Sequence, residues 1–453
     1  MQEPQSPNTD PLSTAGTRRG VYISTYGCQM NVNDTERMYT LLEMVNYEPV
    51  SRPEDAELII INSCSVREKP VHKVHSEAGR YRKLKAKNPN LRIGVGGCVG
   101  QQEKGNLLED VPVLDFVFGP DNIDNLPKIV QEMRDKNLRP VDAKFSHGEP
   151  YQIETLIRKP GVAAFVNITK GCDNFCTFCV VPFTRGRERS RSLKELIVDI
   201  QKLTLRGVKE VTLIGQNVNS YKSDCGANFG DLMSRVATDT DVERIRFTTP
   251  HPKDFNLDLA QIIQKHRNKI MEYMHLPAQS GNSEVLERMN RGYTREEYIE
   301  KARMLAREIP NCVFSTDLIV GFPGETEEQF EDTLTLLDEV PYESIYAFKY
   351  SSRPFTKAAK FTDQLDEVTK SERLTRLLAK HRSISFEVAK KYEQKILDVL
   401  VEDFQEKDSS CYGRSTGNKS VHFAGRRDLI GQTLPIRVTE AYPQVFYGEL
   451  VES

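Results

Sequence analysis

The sequence predicts an α/β protein built from an N-terminal parallel α/β domain, a central incomplete (β/α)6 barrel and a small C-terminal β-barrel. Three observations predict this architecture. Apolar, β-prone runs alternate with amphipathic helical patterns in two regions, a polar segment with three prolines separates those regions, and short strand-like runs follow the last long helix. We expect a disordered tail at 1–19 and domains at 20–145, 158–388 and 389–453.

The composition limits what kind of protein this can be. With 38% hydrophobic residues among 453, the chain can bury ordinary cores, and no apolar run approaches the ~20 residues that cross a bilayer. Residues 1–19 are polar and unlike a signal peptide, so we expect a cytoplasmic protein that does not bind membranes. The net charge of −3 means that any nucleic-acid contact must rely on local basic patches. Nine cysteines in such a chain predict thiolates that bind metal in a reducing compartment.

In the N-terminal domain, three predicted strands each lead to a cysteine and then to a helical pattern. Helices are expected to begin near Asn33 and Ser65, which stand three positions before Glu36 and Glu68. The carboxyl ends of parallel strands meet at one edge of a sheet and bind ligands there. The sequence therefore predicts a three-thiolate site, with three separate core thiols as the alternative. The pairs are 21–26 with Cys28, 58–62 with Cys64 and 92–95 with Cys98, and a fourth strand is expected at 114–118.

Six β-prone runs in the central region alternate with helical patterns and predict a parallel β/α barrel of six units. Capping sequences at Ser192, Thr294 and Thr326 support the intervening helices. Barrels of this kind place their chemistry at the carboxyl ends of the strands. The runs are 164–169, 210–215, 244–249, 273–277, 313–320 and 344–350.

The first barrel strand leads into three cysteines, Cys172, Cys176 and Cys179, with the spacing C-x3-C-x2-C. Three thiolates on one loop can bind three irons of a 4Fe–4S cube, which leaves the fourth iron open. The alternatives are a zinc site with a fourth ligand from elsewhere, or three unrelated thiols. Zinc sites usually show paired C-x2-C knuckles, so the spacing favours the cluster.

Other strand ends of the barrel carry polar or glycine-rich loops that open on the same face as the cysteines. Glycine there lets backbone amides approach a ligand closely, although each loop is also consistent with an ordinary strand-to-helix turn. These loops are candidates for binding a cofactor. The candidate residues are Gly215, Gln216, Asn217, Gln279, Asp317, Gly321 and Glu325.

A long charged helical pattern at 366–392 precedes five short β-like runs, at 396–401, 411–415, 420–423, 434–438 and 449–451, which predict a small barrel. Small barrels often bind RNA. Basic residues in this barrel and directly after the cysteine loop are candidates for contacts with phosphates, although arginines can also clamp carboxylates within the protein. The candidates are Arg185, Arg187, Arg189, Arg414, Lys419, Arg426 and Arg427.

The more specific motifs are YGCQMN (26–31), NSCSVRE (62–68), GCV (97–99), GCDNFCTFC (171–179) with VPFTRGRE (181–188), QNVN (216–219) and SSRP (351–354). Together they closely resemble the methylthiotransferases, a family of radical S-adenosylmethionine (SAM) enzymes with a TRAM-like final domain. The likeness runs from about Val21 to the C-terminus. Ser63 stands where threonine is commoner in the family.

The resemblance implies two 4Fe–4S clusters and SAM as cofactors: a radical-SAM cluster on Cys172, Cys176 and Cys179, and an auxiliary cluster for the sulfur on Cys28, Cys64 and Cys98. Phe178 would lie beside the SAM adenine, with the strand-end residues given above as further SAM contacts. The implied reaction attaches a methylthio group at C2 of an adenosine that already bears an N6-dimethylallyl group, next to the tRNA anticodon. We also expect a reductant such as flavodoxin or ferredoxin, a sulfur donor and a monomeric enzyme.

Alternatives stay open at this point. Related methylthiotransferases act on N6-threonylcarbamoyladenosine or on an aspartate of a ribosomal protein, and residues 28–31 favour the dimethylallyl substrate.

A side chain cannot deprotonate an adenine C2–H at neutral pH, so a radical route is reasonable. From a different class, a non-catalytic iron–sulfur protein could bind RNA or transfer electrons, but the open iron and the strand-end loops argue against it. Cys225, Cys312 and Cys411 are expected to be incidental.

Overall fold

Three sheet-containing regions follow one another along the chain. The computed structural model describes residues 18–65, 68–136, 138–145, 151 and 153–451. They form a six-stranded sheet, a central barrel of six parallel strands and a closed C-terminal barrel. The expected tail at 1–19 therefore lies almost entirely outside the described residues. None of the helices in the described ranges is both long and apolar enough to cross a membrane.

A parallel sheet organises the N-terminal domain. Its strands are β1 (Arg19–Tyr26), β2 (Tyr47–Pro49), β3 (Leu58–Ser63), β4 (Arg92–Gly96), β5 (Phe116–Phe118) and β6 (Val141–Asp142). Its helices are α1 (Gln29–Glu43), α2 (Glu68–Lys87), α3 (Gly97–Glu103), α4 (Asn106–Asp110) and α5 (Leu126–Lys136). The order β2-β1-β3-β4-β5-β6 makes β1, β3 and β4 neighbours, and apolar clusters cover both faces of the fully buried β3. The carboxyl ends of these three strands therefore share one edge, as predicted.

The first helix begins earlier than the capping pattern predicts. It starts at Gln29 with Cys28 in the N-cap position, four residues before Asn33. Nearby asparagines are used in tertiary contacts: the Asn31 amide donates to Asn62 Oδ1 (3.1 Å) and the Asn33 amide donates to the Phe165 carbonyl (3.3 Å). The prediction at Asn33 was wrong because the side chain joins two domains instead of capping a helix. The second predicted start, after Ser65, adjoins residues 66–67, which lie outside the described residues.

The central domain is the predicted incomplete barrel. Its strands are β7 (Ala163–Asn167), β8 (Thr169–Lys170), β9 (Arg189–Ser190), β10 (Glu210–Ile214), β11 (Arg244–Phe247), β12 (Tyr273–His275), β13 (Val313–Val320) and β14 (Tyr342–Lys349). Its helices are α6 (Val181–Thr184), α7 (Leu193–Leu205), α8 (Phe229–Asp239), α9 (Leu257–Lys265), α10 (Ser283–Arg288), α11 (Arg295–Glu308), α12 (Glu327–Glu339) and α13 (Glu367–Lys390). Parallel sheets β11-β10-β7 and β12-β13-β14 supply six strands around one apolar core, and a bridge between Ile245 and Ile270 connects them.

Helix starts in the barrel follow the sequence closely. Thr294 and Thr326 each form a capping box, in which the threonine oxygen accepts from the third helical amide and the side chain of that residue accepts in return. Ser192 occupies the N-cap of α7, although its side chain makes no capping hydrogen bond within the described residues. The short antiparallel pair β8 and β9 was not predicted, because two-residue strands leave no periodic pattern.

The C-terminal region is a closed five-stranded barrel. Its strands are β15 (Ile396–Gln405), β16 (Ser410–Ser415), β17 (Ser420–Ala424), β18 (Thr433–Ala441) and β19 (Val445–Leu450), in the order β15-β16-β17-β19-β18. Buried arginines of β11 attach it to the central barrel: Arg244 donates to the Arg414 carbonyl (2.8 Å) and Arg246 to the Ser415 carbonyl (2.7 Å). Short 3-10 helices complete the described fold, at Pro53–Asp55, Pro120–Asn125, Pro252–Asp254, Ala358–Lys360 and Arg427–Leu429.

Candidate active site

The cysteine loop of the central barrel is closed at its base by β8 and β9. Gly171 has φ +79°, and a Cβ on it would lie 2.1 Å from the Arg187 carbonyl oxygen, so only glycine fits where the two strands approach. The Cys172 amide donates to the Gly186 carbonyl (3.3 Å). The hairpin therefore holds the first cysteine at the carboxyl end of the barrel, where the sequence places it.

A buried arginine contacts the second cysteine. Arg291 Nη1 donates to Cys176 Sγ (3.3 Å), while its Nη2 donates to the Pro277 carbonyl and its Nε to the Tyr293 hydroxyl (both 2.9 Å). The guanidinium is thus fixed beside a sulfur that becomes anionic when it binds iron. Sequence reasoning missed Arg291, because it lies more than a hundred residues from the cysteine loop.

Burial controls the protonation of the other two thiols. It raises the pKa of the free thiol of Cys172 to about 11 and that of Cys179 to about 12. Metal ligands must be deprotonated, so binding iron here releases protons. In the described part of the chain, no three His, Cys, Asp or Glu side chains converge closely enough to hold a single metal ion. A cube instead needs its thiolates spread over separate irons.

Two distant segments, one at 289–290 and one at Ala358, anchor the cysteine loop. The Asn290 amide donates to the Asn174 carbonyl (3.0 Å), and the Thr177 backbone amide donates to the Met289 carbonyl (3.0 Å). The Thr177 carbonyl in turn accepts from the amide of Ala358 (2.9 Å). The loop is therefore held by the barrel on both sides.

Gly215, Gln216 and Asn217 lie directly against the cysteine loop. Gln216 Oε1 accepts from the Gly171 amide (2.5 Å), and a Cβ on Gly215 would lie 2.1 Å from Thr169 Oγ1. Asn217 is buried and donates to Asp254 (2.9 Å). Their observed hydrogen bonds shape the loop, and their contacts with SAM stay a prediction.

Gln279 pairs with the second half of β13, beside Asp317. Gln279 has φ +73°, and its amide donates to the Asp317 carbonyl (2.9 Å). The Asp317 carboxylate lies 3.6 Å from His275 Nε2 and is about one-third exposed. Phe178 packs beside a small apolar cluster under the cysteine loop, formed by Val285, Met289, Phe322, Tyr350 and Ala358. These three candidates do lie around the barrel mouth, and their roles toward SAM are predictions.

Glu325 and Gly321 lie in the predicted loop after β13, and both make contacts within the protein. Glu325 is 3% exposed, and its Oε2 accepts from the Gly321 amide (2.6 Å) and from Arg373 Nη1 (2.8 Å). Gly321 has φ +70°, and a Cβ there would meet the Lys370 side chain at 2.4 Å. Both residues are therefore used in packing the loop against α13. Arg373 already pairs with the Glu325 carboxylate, and a contact of Glu325 with SAM stays a prediction.

The second set of cysteines converges at the edge of the N-terminal sheet. Cys28 caps α1, Cys64 follows β3, and Cys98 lies in the first turn of α3. Cys64 shares hydrogen bonds with both of the other thiols, which lower the pKa of Cys28 and Cys98 and raise that of Cys64. The three thiols therefore lie near one another at this edge, and a cluster bound by them stays a prediction.

Arg185 joins the two sets of cysteines. It is 3% exposed, its Nη2 donates to Asp34 Oδ2 (2.7 Å), and its positive charge also lowers the pKa of Cys28 and Cys98. The preceding helix α6 runs from just after Cys179 to Arg185 and packs against α3. A single short helix therefore connects the cysteine loop of the barrel to the helix that carries Cys98. The prediction that Arg185 contacts RNA does not fit this buried position, because its charge is already used inside the protein.

The other predicted RNA contacts divide into two kinds. Arg189 pairs with Asp121 (2.9 Å) and the buried Lys419 with Glu343 (2.7 Å), so both support the domain interfaces. The remaining four form surface ion pairs, which are weak and easily replaced by contacts with phosphates. These are Arg187 with Asp173 (2.8 Å), Arg414 with Glu402 (3.2 Å), Arg426 with Asp428 (3.1 Å) and Arg427 with Glu406 (2.8 Å).

A row of aromatic rings crosses the outer face of the C-terminal barrel. Tyr412, His422 and Tyr447 are direct neighbours in register on β16, β17 and β19, with ring centroids 5.7 and 5.9 Å apart. Tyr442 extends the row at 6.2 Å, and it and Tyr447 are nearly half exposed. Sequence reasoning missed this row because strand register, which brings the rings together, is a tertiary property.

The chain matches three sequence-family models: "Uncharacterized protein family UPF0004" over residues 20–119, "Radical SAM superfamily" over 166–337 and "TRAM domain" over 390–451. A tRNA-2-methylthio-N(6)-dimethylallyladenosine synthase of Bdellovibrio bacteriovorus is 62% identical over 436 residues, covering 96% of each chain. A protein of the same name from Carboxydothermus hydrogenoformans is 44% identical over 93% of this chain and 97% of its own. The radical SAM methyltransferase TsrM from Kitasatospora setae superposes with a TM-score of 0.54 at 15% identity, over 76% of this chain and 74% of the other.

The barrel, its cysteine loop and the closed final barrel define a radical SAM enzyme with a TRAM domain, which uses SAM and a 4Fe–4S cluster. The structural neighbour supports the fold alone. Identity of 62% over nearly the whole length is far more specific. This chain belongs to the tRNA-2-methylthio-N(6)-dimethylallyladenosine synthase family, as the sequence motifs predicted.

Proposed function

We propose that this chain is the methylthiotransferase that acts at C2 of N6-(dimethylallyl)adenosine beside the tRNA anticodon, giving 2-methylthio-N6-(dimethylallyl)adenosine. The observation that carries the proposal is the packing of α6, which directly follows the cysteine loop of the barrel, against α3, which contains Cys98 of the second set. The names of the relatives support the dimethylallyl substrate over a threonylcarbamoyl group or a protein aspartate.

The donor sets fit two 4Fe–4S clusters. Each set offers three thiols and has a buried cation beside it: Arg291 donates to Cys176 Sγ, and the charge of Arg185 lowers the pKa of Cys28 and Cys98. Hydrogen bonds of this kind stabilise anionic clusters. When bound, SAM and the clusters supply one-electron chemistry, a methyl group and sulfur, which acid–base side chains cannot provide.

The residues of the chain then position the two cysteine sets and the substrate base. The hairpin at Gly171 and the anchors at Thr177 hold one set at the barrel mouth. The buried ion pair of Arg185 and Asp34 holds the other set in place beside α6. With the spacing thus set, a base placed between the two sets is brought close to both and shielded from water.

We propose that RNA lies across the C-terminal barrel. The aromatic row Tyr412, His422, Tyr447 and Tyr442 would stack unpaired bases, which is the usual way small barrels hold single-stranded RNA. The exposed Arg187, Arg414, Arg426 and Arg427 would exchange their surface partners for phosphates. An electron donor such as flavodoxin or ferredoxin, a sulfur source and a monomeric, cytoplasmic enzyme complete the proposal.

Iron content tests the two-cluster part. After anaerobic reconstitution, the parent should hold about eight irons, and each triple alanine variant, Cys172/Cys176/Cys179 or Cys28/Cys64/Cys98, about four. Cys225→Ala, which changes an exposed cysteine of neither set, should keep about eight irons and serves as control. Four irons in the parent that fall to none in the first variant would refute the auxiliary cluster.

Product analysis tests the reaction. Mass spectrometry of an anticodon stem-loop RNA carrying N6-dimethylallyladenosine should show the methylthio product with the parent and with Cys225→Ala. Neither triple alanine variant should form that product. SAM cleavage without that product would leave a radical SAM enzyme of another specificity and refute the proposed function.

A further inference from the structure

Two exposed phenylalanine rings touch each other beside the cysteine loop of the barrel. Phe183, on α6, is 41% exposed and Phe355, in the loop after β14, is 60% exposed. Their ring centroids are 6.0 Å apart. Paired aromatic rings with this much exposed surface are suited to covering an apolar ligand.

The position of the pair relative to the two sets follows from its neighbours. Phe183 lies on α6, between Cys179 and Arg185 in the chain, and this helix packs against α3, which contains Cys98 of the second set. Phe355 is held close to the cysteine loop, because Ala358, three residues further on, donates to the Thr177 carbonyl (2.9 Å). The two rings therefore border the space in which a base must lie to be near both sets.

The backbone at Phe355 is unusual. Residues Arg353 to Thr356 form a turn closed by the Thr356 amide and hydroxyl, which donate to the Arg353 carbonyl (3.3 and 2.8 Å). Phe355 occupies its third position with φ +69°, after Pro354. Glycine or asparagine is usual there, and a bulky side chain is disfavoured. Strain of this kind is common at functional sites, which makes Phe355 a candidate for a functional role.

The substrate chemistry matches an apolar pair. In adenine, C2 and the carbon that bears N6 belong to the same six-membered ring and flank N1. A base whose C2 lies between the cysteine sets therefore carries its N6 substituent to the rim of the same space. A dimethylallyl group is branched and wholly apolar, and burial against aromatic rings is what favours it over water.

We propose that Phe183 and Phe355 are specificity-determining residues that hold the dimethylallyl group of the substrate adenosine. This inference rests on the proposed function and deepens it by naming the surface that distinguishes a prenylated base from a plain adenosine.

The test compares two anticodon stem-loop RNAs of one sequence, with N6-dimethylallyladenosine or with adenosine at the target position. Their dissociation constants are measured with reconstituted holoenzyme for the parent, Phe183→Ala, Phe355→Gly and the control Phe386→Ala. Phe386 is an exposed phenylalanine on α13, which carries none of the six cysteines. We expect the parent to prefer the prenylated RNA, and each of the first two variants to lose about tenfold of that preference with little change for the plain RNA.

Further readouts separate this role from a structural one. Phe355→Gly should not lower the melting temperature, because glycine relieves the positive φ. Unchanged preference in both variants, while the parent still forms the methylthio product, would overturn the inference and leave the proposed function standing. An equal loss of affinity for both RNAs would also overturn it. A parent that gives no methylthio product from the prenylated RNA would refute the proposed function, and the inference with it.

Discussion

The ion pair between Arg373 and Glu325 is expected to be a major support of the loop after β13. Both side chains are nearly inaccessible, at 6% and 0%, and Arg373 Nη1 lies 2.8 Å from Glu325 Oε2. The other carboxylate oxygen, Oε1, has no hydrogen-bond partner among the described residues. Arg373→Met keeps most of the side-chain stem but leaves a buried carboxylate with only the Gly321 amide as donor.

Removing one partner of a buried pair costs about 3 kcal/mol or somewhat more. For a domain of this size, that corresponds to a fall in melting temperature of roughly 6–12 °C. Calorimetry is the suitable assay, because the chain has no tryptophan to report unfolding by fluorescence. Replacing both partners, in Arg373→Met/Glu325→Gln, should restore most of the lost stability, since no buried charge is left unpaired.

The pH dependence gives a second check on the same variant. Burial raises the pKa of Glu325 above its value in the unfolded chain, so the folded protein binds this proton more readily than the unfolded chain does. The contribution of this group is therefore fully present below its unfolded pKa and is lost as pH rises through the folded pKa. Without Arg373 the folded pKa rises further, so Arg373→Met should be most destabilised in alkaline buffer and least near pH 5. Equal melting temperatures for the single and double variants, or a defect independent of pH, would refute this reasoning.

Three further predictions concern the barrel mouth. Arg291→Met removes the hydrogen bond to Cys176 Sγ and should lower the midpoint potential of the radical-SAM cluster by on the order of 60 mV. A redox titration followed by electron paramagnetic resonance measures this potential, and an unchanged value would contradict the prediction. Gly171→Ala sets a Cβ against the Arg187 carbonyl and should reduce the iron content from about eight to about four, and full iron content would show that the hairpin can open. Burial raises the pKa of Glu188 from 4.5 to about 7, which favours its protonated form, so the parent should lose stability relative to Glu188→Gln as pH rises from 5 to 8; parallel melting curves for the two proteins would refute this.

Much of the architecture could be predicted from local patterns. The six barrel strands, the capping boxes at Thr294 and Thr326 and the convergence of Cys28, Cys64 and Cys98 follow from period, caps and strand ends, which are local signals. The closed final barrel was expected for the same reason. Strand starts and ends were less exact, and β19 begins at Val445 and not at Glu449.

Roles that depend on distant partners could not be predicted. Arg185 and Glu325 carry charges that suggest ligand contacts, but Asp34 and Arg373, both far away in sequence, neutralise them inside the protein. Arg291 was missed for the converse reason, since its sulfur partner is 115 residues away. Sequence shows which side chains are charged, and only the fold decides which of those charges meet each other.

The hydrogen bonds from Arg244 and Arg246 to main-chain carbonyls of the C-terminal barrel have a consequence for substrate choice. Because these donors are buried, releasing the barrel would leave charged groups unsatisfied, so the barrel does not swing freely. The span from its outer face to the cysteines is then a constant length. With RNA bound across this barrel as proposed, the enzyme would select a nucleotide by its distance from the barrel as well as by its chemistry. Lengthening the anticodon stem by one base pair should then move the target adenosine away from the cysteines and reduce its modification.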